Sequence, residues 1–144
     1  MKQDELLKLD NQLCFPLYAC AKEVVNLYTP YLKPLGITYT QYLVFLVLWE
    51  KNPIAMSDLC KRLYLDSGTL TPLLKKLENL QYIERVRSEE DERCILIRLT
   101  TSGKELKKKC SNIPVQIGSC FPLEKEEAEV TPGIRWGAAP DPGR

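Results

Sequence analysis

Apolar residues recur at helical spacing over most of the chain. Between Asp10 and Leu32 they repeat near a period of 3.6 residues, which predicts a first helix with one apolar stripe. Thr38 and Gln41 have the spacing of a capping box, and the helix that they open is apolar nearly all round as far as about Glu50. A helix of that kind is buried on most sides, so we expect it at the centre of the domain.

Two shorter helices are expected next. Ser57 is positioned to cap the first, over Asp58–Tyr64, and either Asp66 or Ser67 to cap the second. The second has the clearest amphipathic pattern in the chain, with leucines three or four residues apart at Leu70, Leu73, Leu74, Leu77 and Leu80. Hydroxyl and lysine side chains occupy its other face, which therefore offers hydrogen bonds to a polar partner.

The pattern then changes to alternation. Tyr82–Arg87 and Arg93–Leu99 are rich in strand formers, and the polar run Ser88–Glu92 separates them, which predicts a β-hairpin. A further helix, capped by Thr100 or Ser102, is expected to follow. Two helices and a hairpin in this order are typical of a winged helix-turn-helix domain, mainly α with a small β-hairpin wing, whose second helix enters the major groove of DNA.

The distribution of charge supports a nucleic-acid partner. Residues 61–109 carry 12 Lys or Arg and eight Asp or Glu, a net charge of +4, whereas the rest of the chain carries eight and 11, a net charge of −3. A basic half is what phosphate binding requires. Lys75 can reach guanine or phosphate, and Arg93 at the hairpin tip can enter a minor groove. The order of the elements and the charge bias together predict DNA binding.

The composition excludes several classes of protein. None of the 144 residues is histidine, which excludes Ser-His-Asp and Cys-His catalysis and histidine metal ligation, so we expect no metal and no cofactor. The N-terminal run Met1–Glu5 is too polar for a signal peptide, and the longest apolar run, Tyr42–Trp49, is too short to span a membrane. We therefore expect a cytoplasmic protein with no membrane partner, whose six cysteines are thiols.

One cysteine is a candidate for redox chemistry. No two cysteines have Cys-x-x-Cys spacing, which disfavours a zinc knuckle or a thioredoxin-type pair. Cys14 lies at the predicted start of the first helix, where free N–H groups and the positive end of the helix dipole favour a thiolate, the form that attacks peroxides. The hydroxyl groups of Tyr18, Tyr28 and Tyr39 are candidates to donate hydrogen bonds to its sulfur.

A lone cysteine is more commonly a small buried apolar residue, and for Cys14 that role is the competing interpretation. The buried role is expected for Cys20, Cys60 and Cys94, which fall within helix or strand patterns. The remaining two, Cys110 and Cys120, have less regular surroundings, and either is a possible resolving thiol.

Several blocks of the chain resemble the organic-hydroperoxide branch of the MarR family of regulators. The run Asp10–Cys20 resembles the sensing helix of that branch, and Leu35–Tyr42 resembles the segment that follows it. Leu65–Glu78 is similar to the recognition helix, and Arg87–Arg93 to the wing. The similar blocks occur in the right order and together span Asp10–Cys110.

The resemblance implies a homodimeric repressor whose reduced form binds a pseudo-palindromic operator and whose reactive cysteine is oxidised by an organic hydroperoxide. That cysteine matches Cys14, and the tyrosines that bond to it across the dimer match Tyr28 and Tyr39. In the wing, Asp91 matches the residue that orients an arginine, here Arg93, into the minor groove. The recognition-helix contacts match Ser67, Thr69, Thr71 and Lys75.

We expect a winged helix-turn-helix domain over residues 1–111, with a sensing and dimerisation helix at 10–35 and a DNA-binding lobe at 53–99. The family usually ends in long helices that complete the dimer. Here a short helical segment, 112–130, and a Pro/Gly-rich tail, 131–144, stand in their place.

Three alternatives remain open at this point. The first is a MarR-type repressor controlled by a non-covalent phenolic or drug-like ligand at the dimer interface, with Cys14 incidental. The second is a thiol peroxidase, and the third is an interaction protein that has lost dimerisation through its altered C-terminus. We expect a regulator rather than an enzyme, because no histidine, metal site or evident resolving pair supports turnover.

Overall fold

The structure is a computed structural model that describes residues 2–120, which form two compact units divided between Tyr42 and Leu43. The helices of the described part are α1 (Gln3–Leu6), α2 (Cys14–Leu32), α3 (Tyr39–Glu50), α4 (Met56–Leu63), α5 (Ser67–Asn79), α6 (Thr101–Cys110) and α7 (Ile113–Gly118). The strands are β1 (Ile54–Ala55), β2 (Ile83–Arg87) and β3 (Ile95–Leu99). None of the helices within residues 2–120 has the length and apolarity needed to cross a membrane.

In the first unit, the predicted first helix is shorter at its N-terminus than expected. A 3₁₀ turn at Leu9–Asn11 and an extended Gln12 precede α2, which therefore begins at Cys14 rather than near Asp10. The helix ends at Leu32 as predicted, and it continues past Pro30 to do so. Its apolar stripe is largely uncovered by the residues that the structure describes, because most of the residues that form it are exposed or only half-buried.

The capping box at the start of α3 is confirmed. Thr38 N–H donates to Gln41 Oε1 over 2.9 Å, and Gln41 N–H donates to Thr38 Oγ1 over 3.3 Å, so two free N–H groups of the helix start are satisfied reciprocally. The helix is buried on most sides as predicted, with the following residues at most 6% exposed: Tyr42, Val44, Phe45, Val47 and Leu48.

In the second unit, α4 begins earlier than predicted. Its N-cap is Ala55, without a side-chain hydrogen bond, so the prediction that Ser57 caps the helix was wrong. The reason is that Ala55 is paired with Leu96 in the sheet, and the chain therefore enters α4 directly from β1. The helix ends at Leu63, the following Tyr64 has a left-handed φ of 54°, and Leu65 N–H donates to Cys60 O over 3.1 Å.

The second helix of the predicted pair forms as α5. Asp66 is its cap, because Asp66 Oδ1 accepts a hydrogen bond from Thr69 N–H over 2.7 Å. The core leucines of this helix, Leu70, Leu74 and Leu77, are completely buried. Leu80 was expected on the same face, but the helix ends at Asn79 and Leu80 is 47% exposed.

The hairpin forms and gains a third strand that the sequence pattern did not reveal. β2 and β3 pair antiparallel, with Ile83 opposite Leu99 and Arg87 opposite Ile95. The two-residue strand β1 adds to the other side of β3, which gives the sheet order β1-β3-β2. The shared apolar face predicted for β3 is buried at Ile97 and Leu99, whereas Ile95, at the tip of the hairpin, is 39% exposed.

α6 is anchored against the sheet at its N-terminal end. Thr100 caps the helix by accepting from Gly103 N–H over 3.2 Å. Trp49 Nε1 donates to Gly103 O over 3.1 Å, and the Gly103 α-carbon lies so close to the carbonyl of Tyr82 that a Cβ would collide with it. The following helix α7 lies within the predicted segment 112–130. The structure describes that segment as far as Cys120, and residues 121–130 and the predicted tail 131–144 lie outside the described residues.

Candidate functional site

Cys14 is the first residue of α2 and is exposed to solvent. The preceding Leu13 supplies no side-chain cap, so the N–H groups of the first helical turn are not satisfied by a capping side chain. An exposed sulfur at an uncapped helix start is accessible to a small oxidant. The structure therefore places Cys14 at the helix start, as the sequence predicted, and leaves its side chain exposed within the single chain.

An exposed apolar surface surrounds Cys14. Leu13 is 86% exposed, and Leu17, one helical turn after Cys14, is 70% exposed. Exposed apolar side chains of this size on consecutive turns mark a surface that another molecule covers. Leu7, Leu9, Phe15 and Tyr18, which are near Cys14 in the sequence, are also exposed.

Tyr28 and Tyr39 lie against each other in the first unit, with ring centroids 4.7 Å apart. Tyr42 completes a three-ring cluster, with its centroid 5.7 Å from that of Tyr28 and 6.4 Å from that of Tyr39. Tyr42 is not among the residues predicted from the sequence for sensing, although its position three residues after Tyr39 places both on one face of α3. Tyr18, the other tyrosine considered, lies beside Phe15 instead, with centroids 6.4 Å apart.

The two candidate sensing tyrosines are held as neutral phenols. Burial raises the pKa of Tyr28 above its usual value, and the neighbouring Tyr39 raises it further. Burial alone raises the pKa of Tyr39. A tyrosine keeps its hydroxyl proton at physiological pH, and a raised pKa preserves that state, so each of the two hydroxyls can donate a hydrogen bond.

Within one chain, the structure does not bring Cys14 and these tyrosines together. Cys14 and Tyr28 are 14 positions apart on the same helix, which at 1.5 Å per residue separates them by about 21 Å along the axis. No side chain spans that distance. A contact between the Cys14 sulfur and the tyrosine hydroxyls therefore requires a second copy of the chain.

The other cysteines differ in accessibility. Cys110 is 3% exposed, and burial raises the pKa of its thiol, whereas Cys120 is exposed, with its Sγ 3.4 Å from Gln116 O. Cys60 and Cys94 are half-buried. Cys20 was expected to be a buried residue, but it is exposed, because it lies on the uncovered part of α2.

The recognition-helix candidates all lie on α5. Ser67, Thr69 and Lys75 are exposed, whereas Thr71 is half-buried. The Thr71 hydroxyl donates to Ser67 O over 2.6 Å, so it must rotate before it can donate to a phosphate oxygen. The first turn of α5 and the exposed side chains of Ser67, Thr69 and Lys75 thus offer hydrogen-bond donors to an external partner.

The wing candidates are adjacent at the hairpin tip. Asp91 Oδ1 accepts a hydrogen bond from Arg93 N–H over 3.0 Å, and Cys94 N–H donates to Asp91 O over 2.9 Å. Asp91 therefore fixes the backbone at Arg93. The Arg93 side chain is exposed and has no hydrogen bond or ion pair with any residue that the structure describes, so its guanidinium can engage an external partner.

Metal ligation has no support in the described residues. Among residues 2–120, no group of three or more Cys, Asp or Glu side chains is arranged to hold a metal ion. The first unit presents an exposed sulfur and two phenols, and the second unit presents the polar side chains of α5 and the wing.

Comparisons with known proteins agree with this architecture. Residues 26–110 match the family of SarA/Rot transcriptional regulators. The organic hydroperoxide resistance transcriptional regulator of Bacillus subtilis is 50% identical over 123 residues, which cover 85% of this chain and 82% of that protein.

Solved structures show the same fold. Reduced AbfR bound to DNA is 40% identical, with a TM-score of 0.74, and the match covers 93% of this chain and 91% of AbfR. Disulfide-formed AbfR is 39% identical, with a TM-score of 0.64 and coverage of 91% and 94%. MarR from Escherichia coli is 25% identical, with a TM-score of 0.69 and coverage of 85% and 93%. This chain therefore belongs to the MarR family of winged-helix transcriptional regulators, in the group that contains the SarA/Rot regulators and the organic hydroperoxide resistance regulators.

Proposed function

We propose that the protein is a homodimeric transcriptional repressor that releases its DNA operator when an organic hydroperoxide oxidises Cys14. The observation that carries the proposal is the position of Cys14, exposed at the start of α2 and surrounded by uncovered apolar residues, about 21 Å along the helix from Tyr28. Only a second chain can supply Cys14 with those phenols, and the same second chain covers the apolar surface.

DNA binding follows from the second unit. α4 and α5 form the helix-turn-helix, and we assign operator contacts to Ser67, Thr69, Thr71 and Lys75 on α5 and to Arg93 in the wing, with Asp91 orienting it. In a dimer, two α5 helices about 34 Å apart read successive major grooves, which calls for a pseudo-palindromic operator. The relative solved as reduced AbfR bound to DNA supports this part of the proposal. A regulator of this kind acts in the cytoplasm, where the chromosome lies.

The oxidation step uses the Cys14 sulfur as the nucleophile. The thiolate attacks the terminal oxygen of the hydroperoxide, so an S–O bond forms as the O–O bond breaks, and the alkoxide that leaves takes a proton from water to become an alcohol. The sulfur is oxidised to a sulfenic acid. In the reduced protein the hydroxyls of Tyr28 and Tyr39 donate hydrogen bonds to the sulfur, and the added oxygen displaces them.

The oxygen added to Cys14 changes the dimer junction. We propose that the bulkier, polar sulfenic acid favours a different spacing of the two α5 helices, and a shift of a few kcal/mol is enough to release most of the DNA. Disulfide-formed AbfR supports a further step in which a second thiol attacks the sulfenic acid and water leaves. Of the two candidate resolving thiols, Cys120 is better placed, because it is exposed whereas Cys110 is buried.

The domain organisation follows from the same proposal. Residues 1–111 act as the winged helix-turn-helix domain, with 10–35 as the sensing and dimerisation helix and 53–99 as the DNA-binding lobe. Residues 112–130 and 131–144 are C-terminal additions to that domain.

A second candidate function has one observation in its favour. A cavity of ≈ 430 Å³ lies within the first unit, lined by Val25, Leu32, Gly36 and Ile37 together with the polar residues Thr29, Lys33, Thr38 and Tyr39. Its size suits a small aromatic acid, whose carboxylate would pair with Lys33. A MarR-type repressor controlled by such a ligand would release DNA without any change at Cys14.

The test is to select duplexes from a random pool with the reduced protein and to measure the mass of the complex by analytical ultracentrifugation. We expect a dimer on a pseudo-palindromic site that is released by cumene hydroperoxide and retained in salicylate. Release by salicylate with insensitivity to the hydroperoxide would support the second candidate. A monomer that selects no duplex would contradict both.

A further inference from the structure

The last turn of α5 is joined to the wing by a two-point ion pair. Arg85 Nε donates to Glu78 Oε2 over 3.0 Å, and Arg85 Nη2 donates to Glu78 Oε1 over 3.3 Å. Each oxygen of the carboxylate thus meets a different nitrogen of the guanidinium, which fixes the direction of the contact as well as its distance. The pair is also the least exposed of the three ion pairs in the described residues.

The position of Glu78 is unfavourable for the helix alone. Glu78 is the penultimate residue of α5, and a negative charge at the C-terminal end of a helix opposes the helix dipole. Arg85 compensates by bringing a positive charge from the strand to this end of the helix. The hydrogen bonds from Arg85 also hold the pKa of Glu78 below its usual value, so the carboxylate stays charged at neutral pH. The geometry therefore favours a role for Glu78 in connecting α5 to β2 over a role in stabilising α5 alone.

Glu78 lies on α5 and Arg85 lies on the wing, the two parts of the second unit that contact DNA in the proposed function. Glu78 is on α5, which carries Ser67, Thr69 and Lys75. Arg85 is on β2, which leads into the loop that holds Arg93. The connection between α5 and β2 is a tight turn: Tyr82 N–H donates to Leu77 O over 3.0 Å, and Gln81, which donates to Glu78 O over 2.9 Å, has a left-handed φ of 61°.

We propose that the Glu78–Arg85 pair positions α5 relative to the wing, so that the major-groove helix and the minor-groove arginine engage one operator half-site together. This inference rests on the proposed DNA-binding function. Neither residue contacts DNA in this scheme. Breaking the pair leaves the fold intact but lets the helix and the wing vary in angle, which costs specific binding because both must dock at once.

The chain offers a matched control. Glu84 and Arg98 form an ion pair across β2 and β3, with Arg98 Nη2 and Glu84 Oε2 2.6 Å apart, and both side chains are half exposed. This pair has the same residue types as Glu78–Arg85 and lies in the hairpin that contains Arg85. It contains no residue of α5, so its loss should not alter the angle between the helix and the wing.

The experiment compares Glu78→Gln and Arg85→Lys with the controls Glu84→Gln and Arg98→Lys. The probe is a duplex selected from a random pool by the wild-type protein, and its dissociation constant is measured at several salt concentrations beside that of a scrambled duplex. Thermal melting by circular dichroism shows that each variant is folded at the assay temperature.

We expect Glu78→Gln and Arg85→Lys each to weaken binding to the selected duplex about tenfold, in line with the loss of a charged two-point contact. The scrambled duplex should be bound as by wild type, and the salt dependence should be unchanged, because no phosphate contact is lost. The two controls should stay within about twofold of wild type.

The sign of the Glu78→Gln effect separates positioning from simple electrostatics. Removal of a negative charge from a DNA-binding surface strengthens binding if only net charge matters, whereas loss of the positioning contact weakens it. Arg85→Lys keeps the positive charge but loses the planar guanidinium that makes both hydrogen bonds to Glu78. It therefore tests positioning independently of net charge. Binding of both variants within twofold of wild type, or tighter, would overturn the inference. If the wild-type protein selects no duplex, the proposed function itself fails, and with it the role of the pair.

Discussion

The rings of Tyr28 and Tyr39 pack with their centroids 4.7 Å apart, and the pKa of each phenol is raised, so two neutral hydroxyl donors sit side by side in the first unit. Cys14 lies about 21 Å from Tyr28 along the same helix. This separation makes the sensing site that we propose a property of the dimer, since neither chain contains a complete site by itself.

Removal of the phenol hydroxyls should slow the response to oxidant. In Tyr28→Phe and Tyr39→Phe the ring packing is kept and only the hydrogen-bond donor is lost, so operator affinity in the reduced state should stay near that of wild type. The rate of operator release after a fixed dose of cumene hydroperoxide, followed by fluorescence anisotropy, should fall. Tyr18→Phe is the control, because Tyr18 is 62% exposed and lies beside Phe15 rather than in the three-ring cluster. A normal release rate in both cluster variants would contradict the role of the hydroxyls.

Mixed dimers should reveal that the site is shared between chains. A Cys14→Ser chain keeps its tyrosines, and a Tyr28→Phe, Tyr39→Phe chain keeps its cysteine. In a dimer of one of each, a site built across the dimer leaves one complete set of Cys14 and tyrosines, so rapid oxidation of one cysteine returns. The measurement is the rate of sulfenic acid formation in purified, differently tagged heterodimers. Oxidation no faster than in the homodimer of the double tyrosine variant would show that no complete site forms.

The wing arginine should matter most where the minor groove is narrow. Arg93→Ala removes an exposed guanidinium that has no partner among the described residues, so operator affinity should fall by about 1–2 kcal/mol, or roughly 5- to 30-fold. The loss should be larger on duplexes with A·T-rich flanks than on duplexes with G·C-rich flanks. Arg98→Ala, in the same hairpin, removes an equal charge that is paired with Glu84. An equal loss for both variants, independent of the flanks, would exclude a minor-groove role for Arg93.

Gly103 should be the most sensitive glycine of the described chain to alanine. A Cβ at this position collides with the carbonyl of Tyr82 and comes within 3.0 Å of Leu99 Cδ2, so α6 must shift away from the sheet. We expect Gly103→Ala to lower the free energy of unfolding by about 1–3 kcal/mol in urea titrations. Gly118→Ala is the control, since nothing lies within 4 Å of a Cβ built there, and its stability should be unchanged or slightly higher. Equal stability of the two variants would show that the close approach is not retained in solution.

Features that depend on local chemistry could be predicted from the sequence. The Thr38–Gln41 capping box and the Asp66 cap follow from residue types at fixed spacing, and the leucine pattern of α5 gives its buried face. The hairpin follows from alternation. In each case the residues that determine the element lie within a few positions of one another.

Features that depend on distant or external partners could not be predicted in the same way. Ser57 has the right type for a cap, but the pairing of Ala55 with Leu96 starts α4 before it. Cys20 falls within a helical pattern, yet it is exposed because the apolar stripe of α2 has little cover from residues 2–120. Periodicity shows that a face is apolar without showing which molecule buries it.

The most direct test of the account compares operator release in Cys14→Ser and in Cys20→Ser, the latter an exposed thiol on the same helix. Each protein is treated with cumene hydroperoxide, and operator binding and intact mass are measured before and after. We expect Cys20→Ser to gain the mass of the oxygen added to Cys14 and to release DNA as wild type does. Cys14→Ser should bind the operator and stay bound after the treatment. Release of DNA by the oxidised Cys14→Ser protein would contradict the assignment of Cys14 as the sensor.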